Sequence, residues 1–96
     1  MTRDEVVRQL KGRLGELAGF DVKSLAVFGS VARDEARPDS DVDFLVEFNE
    51  PATFDRYMGL KLFLEDALHC PVDLVTRKGV RPELMPYIEH EARRVA

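Results

Sequence analysis

The sequence predicts an α+β fold in which a small mixed β-sheet carries helices packed on one face, in the element order α-β-α-β-α-β-α. Three observations carry this prediction. Apolar residues recur at helical spacing over 3–18 and 54–69, residues 41–48 carry an apolar side chain at every second position, and two short apolar runs at 24–29 and 71–77 are too brief for independent helices. In the first segment Val6, Val7, Leu10, Leu14 and Leu17 form one stripe, and Gly19 supplies a stop. "SLAVFG" then reads as a buried strand ending in glycine. "SVARDEA" has room for one or two helical turns before "RPDSD", whose Pro and Asp residues mark a loop. In "DVDFLVEF" the residues Val42, Phe44, Val46 and Phe48 share one face, and Asp41, Asp43, Leu45 and Glu47 share the other. After the break "NEPAT", Thr53 is placed to cap a main core helix carrying Phe54, Tyr57, Met58, Leu60, Leu62, Phe63, Leu64, Ala67 and Leu68. "PVDLVTR" is a third strand with Asp73 and Val75 on one face. "RPELMPYIEHEARRVA" is a terminal helix started near Pro82 and bent or restarted at Pro86. Its residues Leu84, Met85, Tyr87 and Ile88 read first as core and second as a contact surface for a partner.

Length and composition bound the function. Residues 1–96 are expected to form a single domain, with no room among them for a second, substrate-binding one. With 45% hydrophobic and 33% charged residues, the composition is that of a folded domain. A net charge of −4 and a pI of about 5.1 argue against broad attraction to nucleic acid or to an anionic membrane. No apolar run reaches the roughly 18 residues of a membrane span, and "MTRDEVVRQL" lacks a signal-peptide core. The lone Cys70 cannot form an internal disulfide, so a cytoplasmic location is expected.

The chemistry is expected around residues 28–48. A strand ending at Gly29 and another beginning near Asp41 are too briefly connected for a parallel crossover, so the two should run antiparallel and bring the Gly29-Ser30 pair beside the aspartates. Asp41 and Asp43 project from one face roughly 7 Å apart along the strand, at a rise of about 3.3 Å per residue. If the third strand starts at the same end beside the second, Asp73 joins them. Like charges gathered this way repel, and a hard divalent cation such as Mg²⁺ or Mn²⁺, accompanied by substrate phosphates, relieves the repulsion. Gly29 permits close backbone approach. The N–H groups and the Ser30 hydroxyl at the following turn can bind phosphate oxygens, and Arg33, one turn on, either joins them or is solvated.

These pieces, "FGSVAR" followed by "SDVDFLV" and then "VDLV", resemble the signature of the DNA polymerase beta-like nucleotidyltransferase superfamily. Over essentially the whole chain the resemblance is to its minimal branch, the MNT or MntA-like antitoxins. The resemblance implies the nucleotidyltransferase fold and an activity that transfers AMP from ATP to a hydroxyl with release of pyrophosphate. It implies that Asp41, Asp43 and Asp73 are the catalytic metal ligands, holding two Mg²⁺ ions, with Mn²⁺ as a substitute. Gly29 and Ser30 then hold the outer phosphates, and Arg33, by its position one turn on, is the further candidate for nucleotide binding. The resemblance further implies a protein partner, a helical HEPN-domain ribonuclease toxin that accepts AMP on a tyrosine. No membrane association and no strong nucleic-acid binding are expected. Asp34 departs from the family pattern, which often has glycine there. An aspartate tolerates a left-handed position better than most residues, but its charge bears on phosphate affinity.

Other readings compete with these. The protein could be a non-catalytic module that neutralises its partner by contact, or could transfer nucleotides to RNA or a small molecule. Cys70 reads as a small buried hydrophobe, His69 and His90 as structural or exposed, and Arg77, Lys78 and Arg81 as a solvated loop.

Overall fold

The fold follows from one sheet whose two faces differ in polarity. The computed structural model describes residues 1–37 and 39–96, so Pro38 of the expected loop lies outside the described residues. The helices are α1 (Arg3–Lys11), α2 (Leu14–Ala18), α3 (Gly29–Ala32), α4 (Phe54–Leu68) and α5 (Met85–Glu91); the strands are β1 (Val22–Phe28), β2 (Val42–Phe48), β3 (Val72–Thr76) and β4 (Arg93–Arg94). A short 3₁₀ turn, Arg77–Gly79, follows β3. The sheet runs β3-β2-β1-β4; β1 is antiparallel to β2 and to β4, and β2 is parallel to β3. The expected mixed sheet is therefore observed, with the antiparallel β1–β2 pair in place.

Alternation along the strands separates an apolar face from a mixed one that carries Asp43, Glu47 and Asp73 beside the buried Leu45. Leu25, Val27, Val42, Phe44, Val46, Val72 and Leu74 are buried on the first. Above them pack Val6 and Leu10 of α1, Leu17 of α2, and Leu60, Leu64 and Leu68 of α4, which recur every four residues and so form one stripe. Each such side chain removed from water contributes about 1.5–3 kcal/mol. Thr53 caps α4 as expected, its Oγ1 accepting the Arg56 N–H at 3.2 Å. The apolar face of α4 is narrower than its composition suggested: Phe54 and Leu62 are exposed, the former at 75%.

Three other expectations need correction. The helix expected over 3–18 breaks at Gly12 and Arg13. The Gly12 N–H turns back to the Arg8 and Leu10 carbonyls, and Arg13 leaves helical dihedrals while its guanidinium pairs with Glu16 and covers the Phe63 ring at 4.6 Å. The break keeps Leu10 and Leu17 inside and turns Leu14 out. At the other end, the helix expected over 81–96 is limited to α5, with Pro86 in its first turn. Ala92 is extended and Val95 buries its side chain in the core, so the tail pairs with β1 as a strand, the Val95 N–H donating to the Leu25 carbonyl at 2.7 Å. The core reading fails as well for Leu84 and Tyr87, which are 49% and 73% exposed, while Met85 and Ile88 are half-buried.

Helix α5 also departs from the single helical layer. It lies near α3 and β1, and its Glu89 holds Arg77 at 2.5 Å. Arg77 Nε sits 3.0 Å from Glu47, which shares its face with Asp43. The contact is ionic, because Nε is out of line for a hydrogen bond. Among the described residues, no helix is long and apolar enough to cross a membrane.

Candidate functional site

The site is built where β1 ends and β2 and β3 begin. Antiparallel register sets Phe28 opposite Asp43, and parallel register sets Asp43 opposite Asp73. Paired residues on adjacent strands point to the same face, so Asp43 and Asp73 are cross-strand neighbours, on strands spaced about 4.8 Å apart. The Val42 N–H donates to the Pro71 carbonyl at 3.1 Å, and the Val72 N–H to Glu65 Oε2 at 3.0 Å, which ties both strand starts in place. Asp41 lies at the exposed mouth of β2.

Gly29 closes the corner. Its φ is 74°, a left-handed value that L side chains rarely adopt, and a Cβ built on it would stand 2.1 Å from Asp43 Oδ2. The glycine requirement therefore has two independent causes, backbone handedness and the carboxylate packed against it. Ser30 follows in α3, half-buried, beside the same corner.

Electrostatically the corner holds more negative than positive charge. Asp43 is half-buried, and its carboxyl is held above the usual aspartate range, first by desolvation, then by the negative charges of Asp73, Asp41 and Glu91, with Arg33 partly opposing them. The three aspartates share one end of the sheet but do not close on a point: among the described residues, no group of three His, Cys, Asp or Glu side chains is arranged to hold a metal ion. The donor set nonetheless fits a hard divalent cation in its chemistry. It consists of carboxylate oxygens that repel one another, one of them penalised for its charge, beside a glycine that leaves room at the backbone.

Arg33 is neither free nor merely solvated. Its Nη1 donates to Glu91 Oε2 at 2.8 Å and its Nε to Glu35 Oε2 at 3.1 Å. The other Glu91 oxygen, Oε1, accepts the Gly29 N–H at 3.0 Å. Glu91 is thus a component of the corner that sequence reasoning missed. It lies 62 residues from Gly29, at the end of a helix, and no local pattern marks it. Asp34 does adopt a left-handed conformation, with φ 57°. Its carboxylate turns toward α1, accepting the Arg3 N–H at 3.2 Å and lying 3.7 Å from the Arg3 guanidinium.

The remaining expected groups lie elsewhere. Cys70 is partly buried against the core, and burial raises its thiol pKa. His69 ends α4 in a left-handed conformation. Arg77 pairs with Glu47 and Glu89 and does not form a free basic loop. A cavity of about 390 Å³ opens at the far end of β2, lined by Phe48, Phe54, Tyr57, Thr76, Arg77 and Lys78. It contains none of the aspartates, so carboxylate register, and not concavity, marks the site.

Comparison with known proteins identifies the family and the fold. The family model described as the nucleotidyltransferase domain matches residues 7–95. A candidate protein adenylyltransferase of Methanocaldococcus jannaschii is 40% identical over 76 residues, spanning 79% of this chain and 86% of its own. Protein adenylyltransferase MntA of Thermococcus cleftensis is 38% identical over 82 residues, spanning 84% and 83%. The solved structure of a candidate minimal nucleotidyltransferase superposes with a TM-score of 0.84 at 39% identity, covering 97% of this chain and 95% of that one. The fold also recurs at lower identity. A toxin-antitoxin structure with AMP-PNP gives a TM-score of 0.72 at 19% identity, covering 90% of this chain and 72% of that one. A tri-AMPylated Shewanella oneidensis HEPN toxin in complex with MNT antitoxin gives 0.67 at 17%, covering 94% and 71%.

Proposed function

The chain belongs to the nucleotidyltransferase-domain family, and from that premise we propose that it transfers AMP from ATP to a tyrosine hydroxyl of a HEPN-domain toxin, acting as the antitoxin of the pair. The observation that carries this reading is the corner itself: Gly29 at positive φ against Asp43, and Asp43 in register with Asp73. Two kinds of relative support the acceptor. Relatives at 38–40% identity are named for protein adenylyltransfer, and an antitoxin of the same fold was solved with an AMPylated HEPN toxin. The exposed Tyr87 of α5 and Leu84 just before it offer apolar surface to such a partner.

In this reading Asp41, Asp43 and Asp73 hold Mg²⁺, with Mn²⁺ as a substitute. Bound there, the metal supplies charge neutralisation for the triphosphate and lowers the pKa of the attacking hydroxyl. The protein's own groups do the rest. The Gly29 N–H, the Ser30 hydroxyl and Arg33 take the phosphate oxygens. The missing side chain at Gly29 lets the triphosphate approach the backbone beside Asp43. The half-buried Asp43 holds the reacting end in a site of reduced dielectric, where positioning and charge count for more than in water. The bond formed joins the acceptor oxygen to the α-phosphorus; the bonds broken are the acceptor O–H, whose proton goes to solvent, and that from the α-phosphorus to the α–β bridging oxygen, which leaves with pyrophosphate.

Incubation of the purified protein with Mg²⁺, ATP and its cognate HEPN partner tests this by intact mass. The expected result is one or more adenylyl groups on the partner, lost when Tyr acceptors are replaced by Phe. An unmodified partner in a stable complex would instead establish a contact-only antitoxin. Label transferred from ATP to RNA or a small molecule, with none on protein, would establish a different acceptor.

A further inference from the structure

The donors assigned to the triphosphate are already held by an anion. Glu91, the last residue of α5, spans the Gly29 N–H and the Arg33 guanidinium with its two oxygens, at 3.0 and 2.8 Å. This is the pairing a phosphate makes with a backbone N–H and an arginine fork. The Glu91 side chain is only 24% exposed, and it adds negative charge to a corner that already contains three aspartates. A triphosphate reaching Gly29 and Arg33 must displace it.

We propose that Glu91 is a built-in anionic competitor for the triphosphate, setting nucleotide affinity by occupying the Gly29 and Arg33 donors until the ligand takes them. The proposal rests on the reading of Gly29 and Arg33 as phosphate ligands. Its physical basis is that one N–H and one guanidinium edge cannot serve two anions at full strength. The free protein satisfies them with Glu91, and the bound protein satisfies them with phosphate, leaving Glu91 to turn to solvent. Position favours this switch. Glu91 sits where α5 gives way to the extended Ala92, and β4 holds the chain beyond it onto β1, so the side chain can leave while the backbone stays anchored.

The test compares wild type and Glu91→Gln by calorimetric titration with Mg²⁺-ATP and with inorganic tripolyphosphate, which has neither base nor ribose. Glu91→Gln keeps the side chain's shape and removes its charge, and a thermal melt checks that the fold is retained. The expected result is binding of both ligands tightened by at least about threefold. In an Arg33→Ala background the gain from Glu91→Gln should shrink, because part of the contested donor set is gone. Equal or weaker binding of both ligands by Glu91→Gln overturns the proposal and makes Glu91 a positioning residue for Arg33. Tighter ATP with unchanged tripolyphosphate also overturns it, since the competition would not be for phosphate. If neither protein binds either ligand, the nucleotidyltransferase reading of the corner fails with it. Glu91→Ala repeats the comparison should the glutamine disturb packing.

Discussion

Asp43 and Glu47 leave the same strand on the same face, four residues and therefore roughly 13 Å apart at a rise of about 3.3 Å per residue, yet their surroundings are opposite. Glu47 lies 3.1 Å from Lys23 and 3.0 Å from Arg77; the Lys23 hydrogen bond, with further help from the charges of Lys23, Arg77 and Lys78, lowers its pKa. Burial first, and then the negative charges of Asp73, Asp41 and Glu91, raise the pKa of Asp43. A strand built only for stability would treat both ends as it treats Glu47. The Glu47 end fastens α5 to the sheet through Arg77 and Glu89, whereas under the proposed function the Asp43 end takes its compensating charge from a bound metal and nucleotide.

The sharpest way to break this comparison is to neutralise each carboxylate and measure transfer. Asp43→Asn, Asp41→Asn or Asp73→Asn should lower AMP transfer by about 10³-fold or more, the scale of removing a principal electrostatic group from a reacting centre. Glu47→Gln should leave the rate within a few-fold of wild type, because Glu47 serves the α5 tether. Single-turnover measurements at saturating Mg²⁺-ATP would check both. Near-wild-type transfer by Asp43→Asn would place the chemistry elsewhere.

Gly29→Ala probes the same corner through the backbone. The substitution forces an alanine into a left-handed conformation and drives its Cβ to within 2.1 Å of Asp43 Oδ2 unless that carboxylate moves. A loss of about 1–3 kcal/mol in unfolding free energy is expected, as for strained backbone positions, together with loss of transfer. Urea denaturation gives the first and intact mass the second. Asp34→Ala, also at positive φ but on the α1 side, should be milder for catalysis. Its cost is the strained backbone position and the Arg3 contact.

How much of this was legible in the sequence depends on how local each feature is. The two-residue period of β2 separates Phe44 and Val46 from Asp43 and Glu47 without any knowledge of neighbours. The brevity of the segment between Gly29 and Asp41 dictates antiparallel pairing, and Thr53 announces its helix. What escaped was set by tertiary partners. Strand β4 forms because β1 offers an open edge and Val95 finds space in the core, neither of which is written in "RRVA". The break after Lys11 needs Gly12 to lose against continued helical periodicity, a contest decided by packing. Leu84 and Tyr87 look like core in a one-dimensional stripe, but α5 is short and lies on the side of the sheet where acidic groups take up the contact. Glu91 and Arg33 meet across 58 residues, and no spacing rule relates them.

The finest comparison is in stability against pH, where the two carboxylates carry opposite signs. Asp43 has a folded-state pKa above its unfolded value, so the native state binds its proton more readily. Its contribution falls as pH rises from the ordinary aspartate range through the raised value. Glu47 has a folded-state pKa below its unfolded value, so it contributes stability above the ordinary glutamate range and loses it as pH falls through the lowered value. At neutral pH, without metal or nucleotide, Asp43→Asn should therefore be more stable than wild type by up to about 1 kcal/mol, a few degrees in Tm for a chain of this size. That advantage should shrink on acidification as wild-type Asp43 takes up its proton. Glu47→Gln should be less stable than wild type at neutral pH, and its deficit should fade at lower pH. Urea midpoints of the three proteins from pH 4 to pH 8 check both trends. If the two differences ran in the same direction, the contrast between the ends of β2 would be one of position alone, and the repulsion at Asp43 would have to be screened by a group other than Arg33.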